Sequence, residues 1–297
     1  MLSNDKFGEV VKEYLGTSYK NGILEREVGQ SITPGIYYHH GQRKLHPHIL
    51  PNECWYLNFL PVYRAELTDY IARKRIHLHK YFYHLNSSQI MCLNFFYPLL
   101  DCGEQRRGKL EAVLSCLSDE FKDDLVNYNS TEFEKQGKEK EIDETVDRAT
   151  SFDFYFETQS RKKLFFEIKY TEQGFGGREK KRNVERKRKF ENVYIKMMSA
   201  GQIKEVDEET FLNNYQILRN LLHVDEDSYV IFVYPEDNTS IRKGVDFAKE
   251  LMTNQYSKHF ITVTWEKLYE SVDKFLDDKM LKDYFAAFHH KYFGYKR

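Results

Sequence analysis

Apolar side chains recur every third or fourth position in some stretches of the chain and alternate with polar ones in others. Residues 61–80, PVYRAELTDYIARKRIHLHK, place Val62, Leu67, Tyr70, Ile71 and Ile76 at helical intervals and predict a helix. LNSSQIMCLNFFYPLL, 85–100, is apolar almost throughout behind Ser87 or Ser88 as a cap, which predicts a buried helix. Gln89 at its start is expected to bond locally rather than to a substrate. GKLEAVLSCLSDEF, 108–121, predicts a short helix with Leu110, Val113, Leu114 and Leu117 inward. Residues 127–150 are charged and nearly free of large apolar groups, so they read as a loop or at most one exposed ribbon.

The pattern then changes period. In SFDFYFE, Phe152, Phe154 and Phe156 are expected on one face and Asp153, Tyr155 and Glu157 on the other. After the polar turn TQSRKK, LFFEIKY alternates in the same way, which predicts an antiparallel hairpin. FLNNYQILRNLLH, 211–223, is helical in period, as are GVDFAKELM and the C-terminal LKDYFAAFHHKYFGY. SYVIFVYP, 228–235, and HFITVTW, 259–265, read as buried strands. Together these elements predict an α/β fold with a mixed central sheet flanked by helices. Residues 1–100 are expected as a helical N-terminal elaboration packed on a core of residues 101–270, with a C-terminal helix over 271–297.

Composition adds bounds. With 297 residues, 41% hydrophobic and 15% aromatic, the chain can bury a substantial core. Lys+Arg 45 against Asp+Glu 46 leaves the net charge near zero, so any polyanion-binding surface must be local. Cys54, Cys92, Cys102 and Cys116 form no CxxC pair and are expected as buried reduced thiols. No stretch approaches the roughly 18 apolar residues of a membrane span, which predicts a cytoplasmic protein with no membrane partner. The segment YYHHGQRKLHPHILP contains His39, His40, His46 and His48, but at no compact ligand spacing, and it reads as a surface loop.

The candidate chemistry lies in the hairpin. Glu167 and Lys169 stand two apart on one strand, and the hairpin brings Asp153 beside them. Two carboxylates, with the Ile168 backbone carbonyl between the two charges, form a hard-oxygen set suited to Mg2+ or, in its place, Mn2+. A bound divalent ion beside an ammonium suits phosphodiester hydrolysis. The plainer reading is a solvated strand face carrying an ordinary Glu–Lys pair.

Asp153 followed after 14 residues by Glu167-Ile168-Lys169 on adjacent strands resembles the PD-(D/E)xK nuclease superfamily, the restriction-endonuclease-like fold. SFDFYFE and FFEIKYTEQGFG carry that resemblance, and FFEIKYTEQGFG with YQILRN and SYVIFVYP is most similar to a bacterial family of restriction endonucleases. The resemblance spans roughly residues 85–270. It implies that Asp153 and Glu167 bind the metal, that Lys169 assists the attacking water, and that Glu111 is a carboxylate at the rim. Ser151-Phe152 stands where a proline often precedes the aspartate, a position that binds nothing. Related nucleases carry a glutamine on a helix after the lysine strand, which makes Gln216 and its neighbour Arg219 candidates for DNA contact. The run 178–189 holds eight Lys/Arg in twelve residues, and Arg178, Lys180, Lys181 and Arg182 are candidates for phosphate contact. A magnesium-dependent endodeoxyribonuclease of restriction or defence follows, with DNA as partner and a homodimer suited to cutting both strands. The alternatives are an inactive nucleic-acid- or partner-binding protein on the same fold, a repair or recombination nuclease, and a nuclease of RNA.

Overall fold

The computed structural model describes residues 6–39, 42–103, 106–176 and 183–296. The chain forms two compact units, Met1–Val113 with Glu266–Arg297, and Leu114–Trp265. Among its described residues the first unit is helical apart from one antiparallel ribbon of β1, Gly35–His39, and β2, Gln42–His46. That ribbon occupies the His-rich segment expected as a loop. Its β2 side chains are mostly exposed, so it lacks the half-buried alternation by which a strand is recognised.

The helix expected over 61–80 runs only from Arg64 to Lys74, because Arg75 turns left-handed (φ 54°) and ends it. Ser87 caps the helix Ser88–Phe96 by accepting the Ile90 N–H at 3.4 Å, and every residue from Gln89 to Phe96 is buried. The Gln89 amide bonds locally, accepting from His79 N at 2.7 Å and donating to the His77 carbonyl at 3.0 Å. Inside this core the Asn94 amide donates to Tyr292 Oη at 2.8 Å, and Lys291 Nζ donates to Asn58 Oδ1 at 2.6 Å. All four cysteines are free, but only Cys92 is fully buried. No helix among the described residues is long and apolar enough to cross a membrane.

The second unit is built on a five-stranded mixed sheet of β3, Val126–Gln136; β4, Ser151–Thr158; β5, Lys163–Ile168; β6, Ser228–Tyr234; and β7, Phe260–Thr264. The strands lie in chain order, antiparallel from β3 to β5 and parallel from β5 to β7. The stretch 127–150, expected as a loop or at most one exposed ribbon, holds most of the edge strand β3 and a short helix, Glu139–Ile142. Its charged side chains are what an edge strand tolerates, since it has one neighbour and a partly solvated surface. β6 is buried at every position, as a parallel strand covered on both faces must be.

One face of the sheet packs on the helices that join β5 to β6 and β6 to β7. Its cluster includes Tyr155, Phe165, Phe232, Leu218 and Val245. Phe152 belongs to this cluster too, with its ring 4.9 Å from that of Phe165, whereas Phe154 meets Phe133 and Phe166. The strict alternation expected for SFDFYFE therefore fails across Asp153. On β3, at the register position opposite Asp153, Glu134 takes a left-handed conformation (φ 57°), so the irregularity falls on both strands at this point.

Candidate active site

The β4–β5 register runs from Glu157↔Lys163 to Phe154↔Phe166, and one further step sets Asp153 opposite Glu167. There a side chain takes over from the main-chain ladder: the Ile168 N–H donates to Asp153 Oδ2 at 2.6 Å. At the two ends of β5, Lys163 donates its N–H to the Asp227 carbonyl just before β6 and Lys169 donates its N–H to the Val233 carbonyl of β6, so the odd-numbered residues here face β6. Ile168 faces the other edge, and its carbonyl leaves the strand on the same side as its N–H, toward β4.

Glu167 is 3% exposed and receives three donors. Lys169 Nζ lies 2.7 Å from Oε1, Gln216 Nε2 lies 2.8 Å from the same oxygen, and Asn220 Nδ2 lies 2.9 Å from Oε2. Gln216 and Asn220 stand one turn apart on the helix Tyr215–Leu221, so a single helix face addresses one carboxylate. The plain solvated Glu–Lys pair is thereby excluded, because both partners are buried.

Lys169 is 7% exposed and its ammonium lies over the Phe175 ring, 5.5 Å from the centroid. Phe175 stacks on Phe232 of β6, and a Cβ at Gly244 would come within 2.8 Å of its ring, so the glycine lets the helix Thr239–Leu251 close on it. The strand end is fastened from behind. Trp265 Nε1 donates to the Lys169 carbonyl at 2.9 Å, and Asn238 Nδ2 donates to the Tyr170 and Glu172 carbonyls, each at 2.9 Å.

These positions set the electrostatics. Burial, reinforced by the neighbouring Glu167 and Glu134, pushes the Asp153 carboxyl well above the usual aspartate range, although Lys169 and the Ile168 N–H act against it. Burial would lower the Lys169 ammonium, but Glu167, Glu172 and Asp153 outweigh it and hold its pKa above the ordinary value. The lysine is therefore a firm cation at neutral pH.

Among the described residues, no group of three or more His, Cys, Asp and Glu side chains is arranged to hold a metal ion. The buried Glu167 and half-buried Asp153 carboxylates plus the Ile168 carbonyl nevertheless make a hard-oxygen donor set, and the repulsion that raises Asp153 is what a dication would relieve. By its chemistry the set fits magnesium. Asn220 Oδ1, buried beside Glu167, has no hydrogen-bond partner.

The other candidates fall in different places. Glu111 begins the helix Glu111–Leu117, in the first unit. Glu157 accepts the Tyr155 hydroxyl at 2.5 Å, four positions along β4 from Asp153. Gln216 is bonded to Glu167, while Arg219 lies over Tyr215, 5.4 Å from the ring centroid. Arg178, Lys180, Lys181 and Arg182 lie outside the described residues. Within the basic run, Lys187 pairs with Glu208 at 3.5 Å, and Lys189 pairs with Glu185 at 2.9 Å and donates to the Arg148 carbonyl at 2.8 Å. Asn220 escapes a reading of composition, yet its position four residues after Gln216 on a helical pattern marks it for the same face.

No curated relative and no solved structure matches the chain. Residues 22–293 match the family described as restriction endonuclease associating with ARP, and the chain belongs to that restriction-endonuclease family.

Proposed function

We propose that the protein is a magnesium-dependent endodeoxyribonuclease, with manganese able to replace magnesium, acting in restriction or defence in the cytoplasm. The observation that carries this reading is the Asp153 carboxylate set at the end of adjacent strands beside Glu167 and Lys169, a carboxylate and an ammonium that are buried together. Nothing structural requires charge there, since a buried ion pair is often no more stabilising than apolar side chains of the same volume. Membership of a restriction-endonuclease family supports DNA as the substrate.

Asp153, Glu167 and the Ile168 carbonyl would hold the ion. When bound, magnesium supplies polarisation of a phosphoryl oxygen and a lowered pKa for water. Lys169 keeps its proton and places positive charge where an attacking water and the negative phosphoryl oxygens meet. Gln216 and Asn220 fix the rotation of the Glu167 carboxylate, so its oxygens do not have to be ordered when substrate arrives. Phe175 and Trp265 exclude water from behind the ammonium and the strand end.

The family's name associates its members with ARP, so a protein partner is part of the proposal, and a homodimer would bring two such sites to the two strands. Nicking of supercoiled plasmid in magnesium tests the reading. Asp153→Ala and Lys169→Ala are each expected to lower the rate by roughly 10²–10⁴-fold while leaving the far-ultraviolet circular dichroism unchanged. Undiminished cleavage by both variants would overturn it. Single-stranded DNA and RNA run beside the plasmid report whether duplex DNA is preferred.

A further inference from the structure

The two faces of the β1–β2 ribbon differ. On one, the Tyr37 ring turns toward its own unit, 5.7 Å from the Tyr81 ring, 5.9 Å from His84 and 6.1 Å from His46. The root is tight: the Gly35 N–H donates to the Ile49 carbonyl at 2.7 Å, and a Cβ at Gly35 would come within 2.4 Å of the Leu50 carbonyl oxygen. Residues directly opposite in an antiparallel pair share a face, so Ile36 with Leu45 and Tyr38 with Arg43 make up the other one. There Tyr38 is 68% exposed and Leu45 63%, and Arg43 and its neighbour Lys44 are exposed as well.

One exposed apolar side chain needs no explanation, but a tyrosine and a leucine on one face of a firmly rooted ribbon form a patch. Charge identifies what would cover it. Asp and Glu make up 46 of the 297 residues, yet none lies between Val28 and Asn52. The chain as a whole carries a net charge of -1, so only a local field can draw a polyanion, and the ribbon's formal charges are of one sign. A two-stranded ribbon is of a size that the major groove of B-form DNA admits, where apolar side chains meet thymine methyl groups while basic ones reach phosphates. We propose that the β1–β2 ribbon enters the major groove of duplex DNA, with Tyr38 and Leu45 against base edges and Arg43 and Lys44 on the flanking phosphates. The proposal rests on the nuclease reading for its ligand, and it gives the first unit a part in holding the substrate.

The test is binding of a fluorescein-labelled DNA duplex to the full-length protein in EDTA, where nothing is cut, over a range of salt concentrations. Arg43→Gln and Lys44→Gln are each expected to weaken binding several-fold and to flatten the slope of log affinity against log salt by about 0.9, the signature of one lost phosphate contact. The double variant Tyr38→Ser with Leu45→Ser is expected to weaken binding several-fold at an unchanged slope, because it removes no charge. All four side chains are exposed, so melting temperatures are expected to match the wild type, and weaker binding then reports contact rather than unfolding. If the charge variants keep the wild-type affinity and slope while the wild type still cuts plasmid in magnesium, the ribbon site is overturned and the nuclease reading stands. An apolar double variant that binds as tightly as the wild type overturns groove entry. One that changes only the sedimentation of the protein without DNA shows a contact between copies of the chain, which overturns the site as well. A wild type that neither binds nor cuts duplex DNA overturns both readings.

Discussion

Glu167 shows how closely a single side chain ties stability to chemistry. Its carboxylate accepts from Lys169, Gln216 and Asn220, and both it and Lys169 are almost wholly buried. Removing one partner of such a pair leaves the other as a desolvated charge. Glu167→Ala is therefore expected to lower the unfolding free energy by about 3–5 kcal/mol in urea titration. The double change Glu167→Leu with Lys169→Met removes both charges and fills their space, so it is expected to recover most of that loss. A double variant as unstable as Glu167→Ala would show that the charges do not act as a pair. If the double variant is stable and catalytically dead, the pair is retained for its chemistry.

Among the elements, the helix Tyr215–Leu221 aims Gln216 and Asn220, and its C-terminal end is fixed by His223. The His223 ring places Nε2 3.2 Å from Glu139 Oε2, while Nδ1 lies 3.0 Å from the Arg219 carbonyl. Burial alone would raise the Glu139 carboxyl, but the hydrogen bond and charge of His223, with the Thr150 hydroxyl, bring its pKa down from 4.5 to about 2. A carboxyl depressed by folding contributes stability above its unfolded value and loses it as pH falls through the folded one. The protein is thus expected to lose about 3 kcal/mol from this group between about pH 5 and pH 2, and Glu139→Gln is expected to flatten that part of the stability curve. Urea midpoints across the range measure it, and an unaltered slope in the variant would remove Glu139 from the account. The same elements show what the sequence discloses. β4 to β7 are legible because each buries a face or both, so apolar runs and alternation mark them. β3 is legible only as a loop or at most one exposed ribbon, since an edge strand rich in Glu, Asn and Lys has the composition of a loop. Asp153, Glu167 and Lys169 could be picked out by their spacing, but the break in alternation at Asp153 depends on Glu134 across the strand pair.

Over the whole molecule, the carboxylate pair and its supports fall within the contiguous stretch Leu114–Trp265, whereas the family match spans 22–293 and so takes in both units. The site's donors are polarised against one another: Asp153 is raised by Glu167 and Glu134, and a dication would reverse that repulsion. Binding to the folded state alone stabilises it by about 2.7 kcal/mol when the ion is at a hundred times its dissociation constant. That corresponds to a rise in melting temperature of roughly 5–10 °C for a unit of this size. Magnesium and manganese are therefore expected to raise the transition that contains residues 114–265, and Asp153→Ala to abolish the rise. Asp153→Ala also removes one of two repelling carboxylates, so the metal-free variant is expected to melt no lower than the wild type. This separates lost metal binding from lost folding. A magnesium-dependent rise that survives in Asp153→Ala would place the ion elsewhere, and the same titration on Glu111→Gln decides whether the rim carboxylate expected from sequence takes part.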